Sequence, residues 1–308
     1  MNGHAMITSS LARAKTHPLF GLALAGFGAL TLTPDSLFIR LSDMGAFEML
    51  VWRGIQMGLV MFLLTYLMDR NGFGQNMRLT FSKRGLLVAI CQFVSTACFV
   101  IGIAETSVSV ILFALATSPI FAAFFSRLIL GERTHISTWL ATAFTLAGIL
   151  LTVMDAGSAH GAPGGSVVFG ALCGLTAAAA IGMNFVLFRK YQDLPVAPIT
   201  GNGSLISGLL ALAYIGPSTL FEGNVAMISV CGLLILPISF FCLTSASRYT
   251  AAANIGLLML LETILGPVWV WLGFGETATM QMILGGIVVI VTLATYVLYT
   301  SYKLQAKT

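Results

Sequence analysis

Residues 250–273 read TAAANIGLLMLLETILGPVWVWLG, 24 positions with one charge, Glu262, near the middle. A helix needs about 20 largely apolar residues to cross the hydrocarbon of a bilayer. A membrane-barrel strand would instead show apolar and polar residues alternating over about 10 positions. The run here is continuous and rich in Leu, so it reads as a transmembrane helix that carries a carboxylate at mid-depth.

The rest of the chain follows the same pattern. Its 308 residues are 57% hydrophobic and only 8% charged, against about 25% charged in soluble domains. Mean hydropathy is +0.95. These values exclude a soluble enzyme, a disordered chain and a nucleic-acid binder. They predict an all-α polytopic membrane protein with ten transmembrane helices, at roughly 19–40, 46–68, 85–104, 107–129, 136–154, 167–188, 196–216, 226–246, 250–273 and 279–300. The first run is too long for a signal-peptide core and is read as retained.

Charge sets the expected orientation. With the N-terminus in the cytoplasm, all of the 15 lysines and arginines except Arg40 and Arg53 fall in cytoplasmic segments, as the positive-inside rule requires. One helix more or fewer would scramble that alternation. Both termini are therefore expected inside an integral protein of the cytoplasmic (inner) membrane. The net charge of +4 is the same bias as a sum, and it favours anionic lipid at that face.

Five cysteines lie in apolar segments without a CxxC pair, and the four histidines fall outside the predicted spans with no zinc-type spacing. No metal site and no cofactor are expected.

Residues 155–166, DAGSAHGAPGGS, interrupt the hydrophobic pattern without basic charge and read as a linker. The chain then divides into a cytoplasmic tail (1–18), a first five-helix unit (19–154), an extracytoplasmic linker (155–166), a second five-helix unit (167–302) and a tail (303–308). A shift of 144 residues places Thr106 on Thr250, Ser118 on Glu262 and Gly131-Glu132 on Gly275-Glu276; a shift of 149 places Asp35 on Asn184 and Arg40 on Arg189. Five spans per unit force the second to enter from the opposite side, so the expected fold is two inverted five-helix repeats. In that plan a site lies at the membrane midplane between repeats.

Glu262 is the leading candidate for that site. An acidic charge at the bilayer centre costs roughly 2.5–3.5 kcal/mol on insertion scales, so it must face a cavity, find a partner or hold a proton. Asn254, Leu258, Glu262, Gly266 and Trp269 fall in one wedge of the helix at about 100° per residue, which predicts a shared cavity lining. Asp35 follows Pro34, where the first span should loosen. Arg53, the one basic residue well inside a span rather than at its end, is expected to pair with Asp35 or Glu48 or to grip a substrate carboxylate. Asn184, Gln92 and Ser118 complete the set of substrate-binding or proton-coupling candidates. Gly54-x-x-x-Gly58 and Gly170-x-x-x-Gly174 predict close helix packing, and Pro119, Pro237 and Pro267 predict kinks.

Two stretches carry a family resemblance: Thr117-Ser-Pro-Ile-Phe-Ala-Ala-Phe-Phe-Ser-Arg-Leu-Ile-Leu-Gly-Glu-Arg133, and Tyr249-Thr-Ala-Ala-Ala-Asn254 with Leu261-Glu262 and Gly275-Glu276-Thr277. They resemble the doubled signature of the drug/metabolite transporter superfamily and, within it, the EamA-type ten-helix carriers. The likeness spans about residues 18–302. Asp35 stands where the family often carries Asn, and Thr263 where it usually carries Pro. The resemblance implies a secondary carrier with a central cavity and no organic cofactor, often an exporter of amino acids or related metabolites.

The function expected from residues and resemblance together is export of a small polar metabolite, an amino acid or related amine, by alternating access. A proton or counter-substrate would be the coupling partner. The alternative is the same carrier moving an organic anion or a nucleotide-like or cofactor-like metabolite, for which two carboxylates against one arginine are a poor match. An intramembrane lipid-modifying enzyme would need clustered His, Asp or Cys, a channel would need a charged ring or filter loop, and an ATP-driven pump would need a Walker motif. None is visible.

Overall fold

A computed structural model describes residues 19–105, 108–155, 166–274 and 280–305. The N-terminal tail, most of the linker and Gly275-Glu276-Thr277 lie outside it. Every element among the described residues is helical. In chain order these are α1 (Phe20–Leu32), α2 (Asp35–Ser42), α3 (Ala46–Met68), α4 (Phe73–Thr80), α5 (Lys83–Glu105), α6 (Val108–Leu115), α7 (Ser118–Phe125), α8 (Ile136–Asp155), α9 (Val167–Lys190), α10 (Val196–Ile215), α11 (Val225–Val230), α12 (Leu236–Ala246), α13 (Ala252–Phe274) and α14 (Met280–Gln305). Among the described residues, seven helical segments are long and apolar enough to cross a membrane, and Ser118–Leu130, Ile136–Gly148 and Ile287–Thr300 are shorter apolar helices.

Local chemistry accounts for the breaks. The expected span at 19–40 is two helices joined at Thr33-Pro34. Proline lacks the N–H that would continue the ladder, and Thr33 instead donates from both N–H and Oγ1 to the Leu30 carbonyl. Asp43 ends α2 in the left-handed conformation, φ 48°, which aspartate tolerates better than most residues. Pro119 and Pro237 sit in the first turns of α7 and α12, where a missing N–H costs little. A wide π-helical turn, Cys231–Ile235, precedes Pro237 and gives the ring the room it needs against the preceding turn. Pro267 lies within α13. A second π-helical turn, Ser126–Leu130, follows α7 and closes on Gly131 at φ 70°, whose N–H reaches Ser126 O. This left-handed cap is a glycine conformation, and it turns Glu132 away from the helix axis.

Packing crosses between the two sequence halves. α3 packs most extensively on α10, α5 on α9, α8 on α14 and α1 on α12, and α7 packs on both α9 and α13. Glycines set the closest of these approaches. A Cβ on Gly54 would lie 2.6 Å from Ser204 O, and one on Gly208 2.8 Å from Ile55 N. Gly54-x-x-x-Gly58 thus meets a glycine-rich face of α10, and Gly174 lies against Ala114. Gly54→Val should lower the melting temperature of the detergent-solubilised protein sharply, since overpacking typically costs about 1–3 kcal/mol and the neighbour here is backbone. Gly26→Ala, with nothing within 4 Å of its added Cβ, should leave it unchanged. Equal melting curves for the two variants would contradict this packing.

Candidate functional site

The break at Pro34 creates the first half of the site. It places Asp35 in the first turn of α2, where a carboxylate meets the positive end of the helix. Asp35 is only 2% exposed. Its Oδ2 accepts a hydrogen bond from Arg53 Nη2 of α3 at 2.7 Å, an ion pair inside the protein. Its Oδ1 is buried without a hydrogen-bond partner. Trp269 of α13 holds the break, donating from Nε1 to Thr33 Oγ1 at 3.0 Å.

Asp35, Arg53, Gln92 and Glu262 line one central cavity of about 90 Å³, with Met57, Ser95, Thr96, Phe99, Ser204, Phe240 and Met259 among the other walls. Both sequence halves contribute. Glu262 interacts electrostatically with Asp35 and Arg53 and accepts no hydrogen bond among the described residues. With all three groups ionised the cluster carries a net charge of −1. At the low effective dielectric of such a site, that charge attracts a monocation or a proton far more strongly than it would in water. Gln92 joins the wall through Asn184, whose Nδ2 donates to Gln92 Oε1 at 3.3 Å.

Four sequence candidates do not line this cavity. Asn184 is 3% exposed on α9 and stands behind Gln92. Ser118 is buried where α7 packs on α13. Trp269 is 39% exposed and engages Thr33. Asn254 lies in a different cavity, where it accepts from Tyr296 OH at 2.7 Å and donates to Thr250 Oγ1 at 3.0 Å. The predicted single lining of α13 is therefore corrected. Eight residues separate Asn254 from Glu262, roughly 12 Å of helix, so one wedge serves two cavities at different depths.

A further cluster was not predicted as a site. Arg189, at the end of α9, grips Glu132 with Nε at 2.9 Å and Nη2 at 2.8 Å. Its Nη1 donates to Thr250 O at 2.9 Å and Ser247 O at 3.3 Å. One guanidinium thus ties together the ends of α7, α9 and the α12–α13 turn. Arg248 also donates to Leu194 O. The signal available in sequence was Gly131-Glu132 itself: the glycine cap aims the carboxylate at Arg189.

A family model described as the EamA-like transporter family matches residues 18–154 and again 168–298. The chain belongs to the EamA-like transporter family. The family match and the apolar helices make it an integral membrane protein. The "Uncharacterized transporter YdfC" of Bacillus subtilis (strain 168) is 29% identical over 196 residues, covering 62% of this chain and 62% of that protein's length. An "Uncharacterized transporter" of Clostridium kluyveri is 22% identical over 224 residues, 70% of this chain and 71% of that one. A crystal structure with 14% identity superposes with a TM-score of 0.74 over 91% of this chain and 98% of that chain, a likeness of fold alone.

Proposed function

We propose that this EamA-family transporter is a secondary carrier that exports a small ammonium-bearing metabolite, an amino acid or related amine, by alternating access. The observation that carries the reading is the cluster of Asp35, Arg53 and Glu262 in one cavity built by both halves. Asp35 Oδ1 and Glu262 are free to receive an ammonium, while Arg53 stays committed to Asp35 Oδ2. In the empty carrier a proton on Glu262 takes the place of the ammonium, which makes proton exchange the coupling step.

The helix pairing supports two inverted five-helix repeats, one either side of the 155–166 linker. Numbering the ten predicted spans and exchanging span n with span n + 5 maps the α5–α9 pair onto the α12–α1 pair. It maps α3–α10, α7–α13 and α8–α14 onto themselves. A pseudo-two-fold axis in the membrane plane has that signature, and carriers of this plan rock one bundle against the other around a fixed site. The positive-inside count supports ten crossings of the inner membrane with cytoplasmic termini. His160→Cys, in the linker, should react with an impermeant maleimide added outside intact cells. Reaction from the cytoplasmic side alone would reverse the topology.

On this topology Arg189 latches the cytoplasmic end. Arg189→Gln should free it and raise the labelling rate of a cysteine placed at Met259, on the cavity wall, from the cytoplasmic side of inverted vesicles. About tenfold is expected for the loss of one charge-assisted cluster. Unchanged labelling would mean that the ion pair does not gate.

The transport reading itself is tested by counterflow in proteoliposomes preloaded with mixed amino acids and amines, with no ion gradient. Accumulation of one labelled trace is expected. Accumulation confined to organic acids or nucleotides would instead support the anion carrier.

A further inference from the structure

A second cavity, about 240 Å³, opens beside the Arg189 latch, at the start of α8 and the end of α14. A chain of hydrogen bonds runs through its wall to Thr250: Thr138 Oγ1 with Tyr296 OH at 2.9 Å, Tyr296 OH to Asn254 Oδ1, and Asn254 Nδ2 to Thr250 Oγ1. Those groups satisfy one another. Ser126, also in the wall, is different: it is 4% exposed, and its hydroxyl is buried with no partner. A buried hydroxyl left unpaired costs free energy that a bound acceptor returns.

Glu132 is neutralised by Arg189, which leaves the exposed Arg133 as the uncompensated charge of the wall. The first turn of α8, a 20-residue helix, opens onto the same space through Ser137 and Thr138. A helix N-terminus of that length favours an anion through its dipole. Ser137 N–H goes to His135 Nδ1 at 3.2 Å and Thr138 N–H to His135 O at 3.0 Å, so His135 caps the turn, stands at the rim, and leaves α8 to act on the cavity through its dipole.

We propose that this cavity is a binding site for an oxyanion, a carboxylate or phosphate group, received by Arg133, Ser126 and the N-terminus of α8. Its occupant also touches Glu132 and Asn254, both tied to the α12–α13 turn through Arg189 and Thr250. Occupancy therefore bears on whether that end of the carrier is latched. The same chemistry has two sources, the headgroup of an anionic lipid in that leaflet or a soluble metabolite.

The test uses the full chain in phosphatidylcholine nanodiscs and does not depend on transport. Binding of inorganic phosphate is titrated calorimetrically, and retention of phosphatidylglycerol is measured by native mass spectrometry. Arg133→Gln should weaken whichever is the ligand by about tenfold, and Ser126→Ala by about fivefold. Arg127→Gln, a basic residue of the same end that is outside the cavity wall, should change neither. Loss of phosphate binding assigns the site to a soluble oxyanion, and loss of phosphatidylglycerol alone assigns it to a headgroup. No binding of either, or equal losses in Arg127→Gln and Arg133→Gln, would overturn the site.

Discussion

Glu262→Gln is expected to cut counterflow severely while the protein still inserts and folds. The amide is isosteric and neutral, so it removes a charge that is expensive at the bilayer centre, and the melting temperature should hold or rise. The site, however, changes from a net charge of −1 to zero. Asp35 remains paired with Arg53 through Oδ2, and a bound ammonium is left without its second carboxylate. Truncating one partner of a desolvated charge pair costs about 2–5 kcal/mol. Transport should therefore fall by about 30-fold to several thousand-fold, with ~1.4 kcal/mol per factor of ten. Glu262→Asp keeps the charge and should retain part of the rate. Wild-type counterflow in Glu262→Gln, with unchanged pH dependence, would remove this residue from the mechanism.

Arg53→Met should have the opposite signature: loss of the protein before loss of function. Asp35 is almost wholly buried and has Arg53 as its ion-pair partner. Removing the guanidinium strands a carboxylate between α2, α3 and the π-helical turn at Cys231–Ile235, and breaking a buried pair from one side costs about 3–5 kcal/mol. Yield of monodisperse protein should collapse. The double variant Asp35→Asn, Arg53→Met leaves no stranded charge and should recover most of the yield, a strong positive coupling of the two positions. It should not recover transport, because the acceptor at Asp35 is gone. Full transport by the double variant would show the pair to be structural; a well-folded Arg53→Met single variant would show the pair to be unimportant to stability.

The helices were legible because continuous apolar runs, bounded by basic loops, leave few other readings. The interruptions within them were only half visible. Pro34 announced a loosened first span, and the structure turns it into two helices whose junction presents Asp35. The π-helical turns before Gly131 and Pro237 have no sequence signature of their own, since they arise where a helix accommodates a wide turn against its neighbours. Gly54-x-x-x-Gly58 was readable as a packing face, but its partner, the glycine-rich face of α10, depends on tertiary arrangement.

The cavity divided along the same line. Asp35, Arg53, Gln92 and Glu262 stood out because a charge or amide in a bilayer needs a reason. Met57, Phe99, Phe240 and Met259, which wall the same space, resemble lipid-facing residues in sequence. Periodicity placed Asn254 and Trp269 on the same wedge of α13 as Glu262, but it reports angle about the helix axis and not depth along it. Arg189 was counted as one more cytoplasmic charge, because the glycine cap that delivers Glu132 to it acts across 57 residues of sequence.

The central claim is that the Asp35–Arg53–Glu262 cavity recognises a positive charge. The most direct measurement is counterflow by the wild-type protein with a paired panel, each amino acid set against its N-acetyl counterpart, which keeps the carboxylate and side chain but lacks the ammonium. The ammonium-bearing member should be accumulated, and should compete, in every pair that gives a signal. Equal or preferential accumulation of the N-acetyl members would contradict the claim and leave the cavity's two carboxylates without the role assigned to them.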